Sequence, residues 1–94
     1  MAFGPGQRVG ELPIPQQASK GGDSSEVLRV WLVGESTQFV LRPVWEDPAA
    51  WGVLLADLAR HIAAAEKQRR PAVNESAILK RICAGFLVDI GSDD

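Results

Sequence analysis

The chain has 94 residues, 46% of them hydrophobic and 23% charged, which suits one small folded domain rather than a disordered or a multidomain protein. Its single cysteine excludes an intramolecular disulfide framework and a multi-cysteine zinc site. Its formal net charge of -2, from 12 acidic and 10 basic residues, lacks the basic excess of a dedicated nucleic-acid-binding protein, so only a local patch could bind nucleic acid.

Residues 1–25 hold five of the nine glycines and three of the six prolines, a composition that predicts a flexible N-terminal arm. One short stretch, residues 11–15, departs from this pattern. Its prolines favour an extended backbone, and Leu12 and Ile14 could lie against a groove or a sheet edge. Whether the arm docks on the rest of the chain stays open at this point.

Two segments rich in β-branched and aromatic residues follow at 26–33 and 38–45, with turn-forming residues at 34–37 between them. This pattern predicts an antiparallel β-hairpin. A turn centred on Glu35 and Ser36 would place Arg29 directly opposite Arg42. The hairpin then has an apolar face and a mixed face. The apolar face consists of Val30, Leu32, Phe39 and Leu41, and the mixed face of Val27, Arg29, Trp31, Val40, Arg42 and Val44.

A long helix is predicted from Asp47 and Pro48 to about Arg69 or Arg70, because aspartate caps helix starts and proline suits the first helical position. Pro71 ends this helix, and a second helix is expected from about Asn74 to Asp89. Both helices have apolar faces, formed by Trp51, Leu54, Leu55, Leu58 and Ile62 in the first and by Ile78, Leu79, Ile82, Cys83, Phe86 and Ile90 in the second.

Beside its apolar stripe, the first helix has a ridge of small residues at Gly52, Ala56, Ala59 and Ala63. Glycine weakens a helix interior, so its presence at Gly52 predicts that another backbone comes close there. The second helix of the same chain is the favoured neighbour, and the same helix of a second subunit is the competing one.

These elements predict an α+β fold: a small ββαα unit in which an antiparallel hairpin packs on two helices and dimerisation could complete the sheet. The expected organisation is an arm at residues 1–25, a single domain at residues 26–90 and a short acidic tail at residues 91–94.

Residues 27–31 (VLRVW) and 41–63 (LRPVWEDPAAWGVLLADLARHIA) resemble a family of small uncharacterised bacterial domains of roughly 100 residues, an ordinary domain length. The most specific part is the run WEDPAAWG at residues 45–52, and a looser likeness extends to ELPIP at residues 11–15. The resemblance implies a ββαα unit in a bacterial cytosol. It implies no activity for any residue.

The mixed face is the candidate interaction surface, represented by Arg29, Trp31, Val40 and Arg42. Two arginines directly opposite each other are destabilising unless an anion, a carboxylate or a partner lies between them, and tryptophan and arginine are enriched in binding hot spots. Three interpretations remain. The arginines could extend into water or pair with Glu26, Glu46 or the acidic tail; the face could bind a protein; or it could bind an anionic ligand or single-stranded nucleic acid stacked on Trp31.

Other chemistry-bearing residues have structural explanations. Asp57 and His61, four apart on a helix, could orient an imidazole for general-base catalysis but are more typical of helix stabilisation. Cys83 is expected as a packed core thiol. Glu46 and Asp47 fit a helix start, and the basic residues Lys67, Arg69 and Arg70 fit a helix end. No cofactor, metal site or catalytic residue is predicted.

The sequence therefore predicts a non-enzymatic protein-interaction or self-association module. A homodimer is expected, through hairpins joined edge to edge or face to face through Trp31 and Val40, and another protein partner also fits. The alternative is a binder of a small anionic ligand or single-stranded nucleic acid, although nucleic acid is disfavoured by the charge. The start of the chain lacks a secretory apolar stretch and no run approaches the roughly 18 apolar residues of a membrane span, so a cytoplasmic location is expected.

Overall fold

The computed structural model describes residues 10–91, which form an antiparallel hairpin followed by two long helices, the α+β arrangement that the sequence predicts. The elements in chain order are α1 (Gln16–Lys20), β1 (Leu28–Val33), β2 (Ser36–Leu41), α2 (Ala49–Arg69) and α3 (Glu75–Ile90). The chain divides into two compact units between Val44 and Trp45. We call the described residues 10–44 the hairpin unit and residues 45–91 the helical unit.

The hairpin turn consists of two residues, Gly34 and Glu35, because Val33 pairs directly with Ser36. Gly34 has a φ of +62°, the left-handed conformation that a II′ turn requires at its first central position. The predicted turn centre is therefore wrong. The register is shifted by two residues, so that Arg29 lies opposite Val40 and not opposite Arg42.

The shift leaves the two faces of the hairpin as predicted. Side chains alternate between the faces along a strand, so a displacement of two residues returns each side chain to its original face. Pairs of residues in register show this directly: Val30 with Phe39 on the apolar face and Arg29 with Val40 on the mixed face.

The arm contains one feature that the sequence did not predict, the five-residue helix α1, which has no buried residue. Its first turn is closed by the amides of Ala18 and Ser19, which donate to the carbonyl of Pro15. The first nine residues of the predicted arm, and residues 92–94 of the predicted acidic tail, lie outside the described part of the chain.

Both long helices begin at side-chain caps. The Asp47 carboxylate accepts a hydrogen bond from the Ala49 amide at 2.9 Å, as the sequence predicts for the start of α2. The Asn74 side chain accepts from the amides of Ser76 (2.8 Å) and Ala77 (3.2 Å) at the start of α3. Among the described residues, no helix is both long and apolar enough to cross a membrane.

Within the helical unit, α2 contacts α3 through the C-terminal half of α2. Ala63 is fully buried and lines a cleft together with Ser76 and Leu79 of α3. Ala63, the last residue of the ridge of small residues, therefore lies against α3, and Ala59 is half-buried. Gly52 is different: a Cβ built there would have no neighbour within 4 Å.

The predicted close approach at Gly52 is therefore wrong for the described chain. The reason is the short connection between α2 and α3, which places the first residues of α3 beside the last turns of α2. The half-buried residues of α3 accordingly lie in its first half, at Ile78, Leu79 and Ile82. At the other end of α2, Trp51 packs edge-on against Trp45, with ring centroids 5.1 Å apart.

Candidate interaction surface

The hairpin brings all four predicted surface residues to its mixed face. Arg29 and Val40 are directly paired, Trp31 follows two residues along β1, and Arg42 stands two residues after Val40, just beyond the end of β2. The Arg42 amide donates to the Val27 carbonyl at 2.9 Å, which extends the ladder beyond the first residue of β1 and the last residue of β2. Arg29, Val40 and Arg42 line a shallow groove at this open end of the hairpin, together with Val27 and Glu26.

The guanidinium of Arg29 is held by two carboxylates. Its Nη1 donates to Glu11 at 2.7 Å, and its Nη2 and Nε donate to the two carboxylate oxygens of Glu26 at 2.9 and 3.2 Å. The fork-to-fork geometry with Glu26 is the strong, directional form of an arginine–carboxylate pair. The hydrogen bonds to Glu26, with the charges of Glu26 and Glu11, raise the pKa of Arg29 above its ordinary value. Pairing with Glu26 was among the predicted alternatives.

The contact with Glu11 attaches the arm to the mixed face. The Glu11 side chain is only 16% exposed, and the neighbouring Gly10 lies beside the ring of Trp31, since a Cβ added to Gly10 would be 4.0 Å from that ring. Trp31 itself is half-buried. Part of the mixed face is thus covered by this chain's own residues.

The arm docks by a different contact from the one its apolar residues suggested. Leu12 and Ile14 remain 84% and 68% exposed, so they do not fill a groove in the described chain. The attachment is electrostatic: a carboxylate of the arm meets an arginine on the hairpin. Arg42, by contrast, has no hydrogen bond or ion pair to another side chain within residues 10–91.

The apolar face of the hairpin is open. Val30, Leu32, Phe39 and Leu41 are 51%, 79%, 62% and 54% exposed. On the mixed face Val40 is also exposed. Isolated exposed apolar side chains are ordinary on proteins, whereas a contiguous exposed apolar group of this kind is uncommon on a monomer. The sequence signal for it was the presence of large apolar residues on both faces of one hairpin.

The family model for a domain of unknown function, DUF5076, matches residues 11–93. The chain belongs to this family. The matched segment begins at Glu11, so the DUF5076 region includes the carboxylate that binds Arg29. This agrees with the resemblance to a family of small uncharacterised domains.

A solved structure with the same fold as this DUF5076 chain comes from the photosynthetic bacterium Rhodopseudomonas palustrus and is described, provisionally, as a pyruvate dehydrogenase. The two chains are 29% identical, with a TM-score of 0.70. The similarity covers 100% of this chain and 93% of the other, so the two are of nearly equal length. No curated protein shows a significant match.

The DUF5076 helical unit does not assemble a catalytic pair from Asp57 and His61. The His61 side chain is 75% exposed, and its Nδ1 lies 2.9 Å from the backbone carbonyl of Asp57 but 3.8 Å from the Asp57 carboxylate. Arg60 also approaches that carboxylate, at 3.7 Å. The pair has the geometry of a helix-surface interaction, as its spacing suggests.

Cys83 is exposed, so its prediction as a packed core thiol is wrong. The residues of α3 that are half-buried cover a narrow strip, and Cys83 lies one position beyond Ile82, about 100° further around the helix. The apolar face of α3 is wider than the part that α2 covers. Within residues 10–91, no group of three or more histidine, cysteine, aspartate or glutamate side chains could hold a metal ion.

The basic residues at the end of α2 have local partners. Lys67 donates to the carbonyl of Val73 at 2.9 Å and to that of Pro71, which ties the loop after α2 to the helix. Arg69 binds Glu66 at 2.7 Å. These contacts support the prediction that the cluster belongs to a helix end.

Proposed function

We propose that this protein is a non-enzymatic self-association module in which the hairpin unit joins two copies of the chain. The observation that supports the proposal best is the two-stranded hairpin, whose apolar face is exposed and whose β2 edge has no strand beside it within residues 10–91. An isolated two-stranded hairpin is marginally stable in water, and it becomes stable through further strands that share an apolar face or through packing against a helix. A second copy supplies the missing strands from an identical sequence. We place the module in the bacterial cytoplasm, in keeping with its single cysteine.

The two ion pairs of Arg29 favour a protein contact over an anionic ligand as the role of this surface. A phosphate or a nucleic-acid backbone would have to compete with two carboxylates of this chain for the same guanidinium. Base stacking requires an open aromatic ring, and Trp31 is half-buried beside Gly10. Within residues 10–91, the apolar side chains on both strands are exposed and face no such competition.

We do not extend the dehydrogenase description of the Rhodopseudomonas protein to this chain. The acid–base pair that the sequence offers, Asp57 and His61, lies on an exposed helix surface, where the imidazole contacts the backbone carbonyl of Asp57 rather than its carboxylate. An enzymatic role would need a different set of residues.

Sedimentation velocity over a series of protein concentrations tests the proposal. We expect the mass to rise from that of the 10.1 kDa chain to twice that value within the micromolar range, with no change on adding inorganic phosphate or a single-stranded oligonucleotide. A sedimenting monomer at every concentration would contradict self-association. Tight binding of the oligonucleotide by the monomer would support the anionic-ligand alternative instead.

A further inference from the structure

The register of the hairpin decides which backbone groups point away from it. The hydrogen bond from the Arg42 amide to the Val27 carbonyl makes these two residues a hydrogen-bonded pair. Hydrogen-bonded and non-hydrogen-bonded pairs alternate along an antiparallel ladder. Three pairs are therefore non-hydrogen-bonded: Leu28 with Leu41, Val30 with Phe39, and Leu32 with Thr37. The amides and carbonyls of Thr37, Phe39 and Leu41 consequently point outward along the free edge of β2.

This edge lacks the features that normally prevent pairing between chains. Proteins protect sheet edges with charged side chains, proline or bulges. The six residues of β2, STQFVL, include no charge and no proline. Within residues 10–91 the sheet has two strands, and no third strand pairs with β2.

The edge of β1 is less suited to pairing. Arg29 is the second residue of β1, and Glu11 and Glu26 are both bound to it. A second copy placed along β1 would bring two of these three-residue charged clusters to the interface, and removing charges from water is costly. Pairing along β2 ends before Pro43. This residue stands at the next outward-pointing position after Leu41, where it has no amide to donate.

We propose that two copies pair antiparallel along β2, with Phe39 of one copy opposite Phe39 of the other. This inference rests on the proposed self-association. The pairing joins the outward groups of Thr37 to those of Leu41 in the second copy and those of Phe39 to each other. The register is self-complementary, as a twofold axis requires. It places Arg42 opposite Ser36, so that no like charges meet.

The product is a four-stranded antiparallel sheet with strand order β1, β2, β2, β1. Its apolar faces merge into one surface that contains two copies of Val30, Leu32, Phe39 and Leu41. The unsatisfied edge groups of β2 become hydrogen-bonded, and the two phenyl rings meet as a cross-strand aromatic pair. The strand count then exceeds the minimum for an independently stable sheet.

Disulfide cross-linking tests this register. In the proposed pairing Gln38 lies opposite Val40 of the second copy as a non-hydrogen-bonded pair, whose Cα atoms are about 4.5 Å apart, within the range that a disulfide spans. Two variants, Gln38→Cys and Val40→Cys, are made in a Cys83→Ala background. Each alone places its cysteines on the diagonal, about 7–8 Å apart, which is too far for an unstrained bond.

After mild oxidation with oxidised glutathione, we expect a cross-linked dimer in an equimolar mixture of the two variants and little or none in either variant alone. Two results would overturn the β2 pairing and leave the proposed function intact. One is equal cross-linking in the separate samples. The other is an absence of cross-linking in the mixture while sedimentation shows a dimer. A monomer in sedimentation would overturn both.

Discussion

Replacement of Phe39 by glutamate is expected to raise the dissociation constant of the dimer by roughly tenfold or more, equivalent to about 1–2 kcal/mol. The substitution removes the aromatic pair at the proposed twofold axis and places two carboxylates directly opposite each other. Sedimentation equilibrium on the wild type and the Phe39→Glu variant measures the change. Higher salt should restore part of the lost affinity, because the added repulsion is electrostatic.

The matched control is Leu32→Glu. Leu32 lies on the same apolar face and is more exposed than Phe39, at 79% against 62%, but it belongs to β1. Pairing along β2 leaves Leu32 on the outer strand, so this variant should dimerise nearly as the wild type does. Face-to-face packing would instead make both variants equally defective, and that result would contradict the edge pairing.

A leucine at Ala63 is expected to lower the free energy of unfolding by about 1–3 kcal/mol, the usual cost of overpacking. Ala63 is fully buried where α2 meets α3, and the surrounding cleft is bounded by Ser76 and Leu79. The added methine and two methyl groups must push α3 away or adopt a strained rotamer. Urea denaturation followed by far-ultraviolet circular dichroism, at one fixed protein concentration, measures the loss.

The control is Ala65→Leu, two residues along the same helix and exposed. Leucine and alanine are both good helix formers, so this change should stay within about 0.5 kcal/mol of the wild type. If Ala63→Leu were as stable as Ala65→Leu, the tight contact between α2 and α3 at Ala63 would be refuted.

The two faces of the hairpin could be predicted from sequence because side-chain alternation depends only on whether a residue position is odd or even. The pairing itself could not. Gly34, Glu35, Ser36 and Thr37 are all acceptable turn residues, and several turns join the same two strands. The left-handed conformation of Gly34 selects the two-residue turn. The supposed Arg29–Arg42 opposition, which first drew attention to the mixed face, depended on this unresolved choice.

Contacts between residues distant in the sequence could not be predicted either. Helix starts at Asp47 and Asn74 follow from local chemistry and agree with the structure. The salt bridge between Glu11 and Arg29 joins residues 18 positions apart, and a charged residue in a proline-rich arm gives no sign of its partner. Apolar periodicity likewise showed which residues of α3 share a face, but not how narrow a strip of that face α2 would cover. Cys83 lies outside that strip.

Amide hydrogen exchange of β2 as a function of protein concentration tests the central claim most directly. The amides of Gln38 and Val40 are bonded within the hairpin and should be protected at all concentrations. The amides of Thr37, Phe39 and Leu41 point outward and should gain protection only as the dimer forms. If these three amides exchange freely under conditions where sedimentation shows a dimer, the two copies do not join along β2.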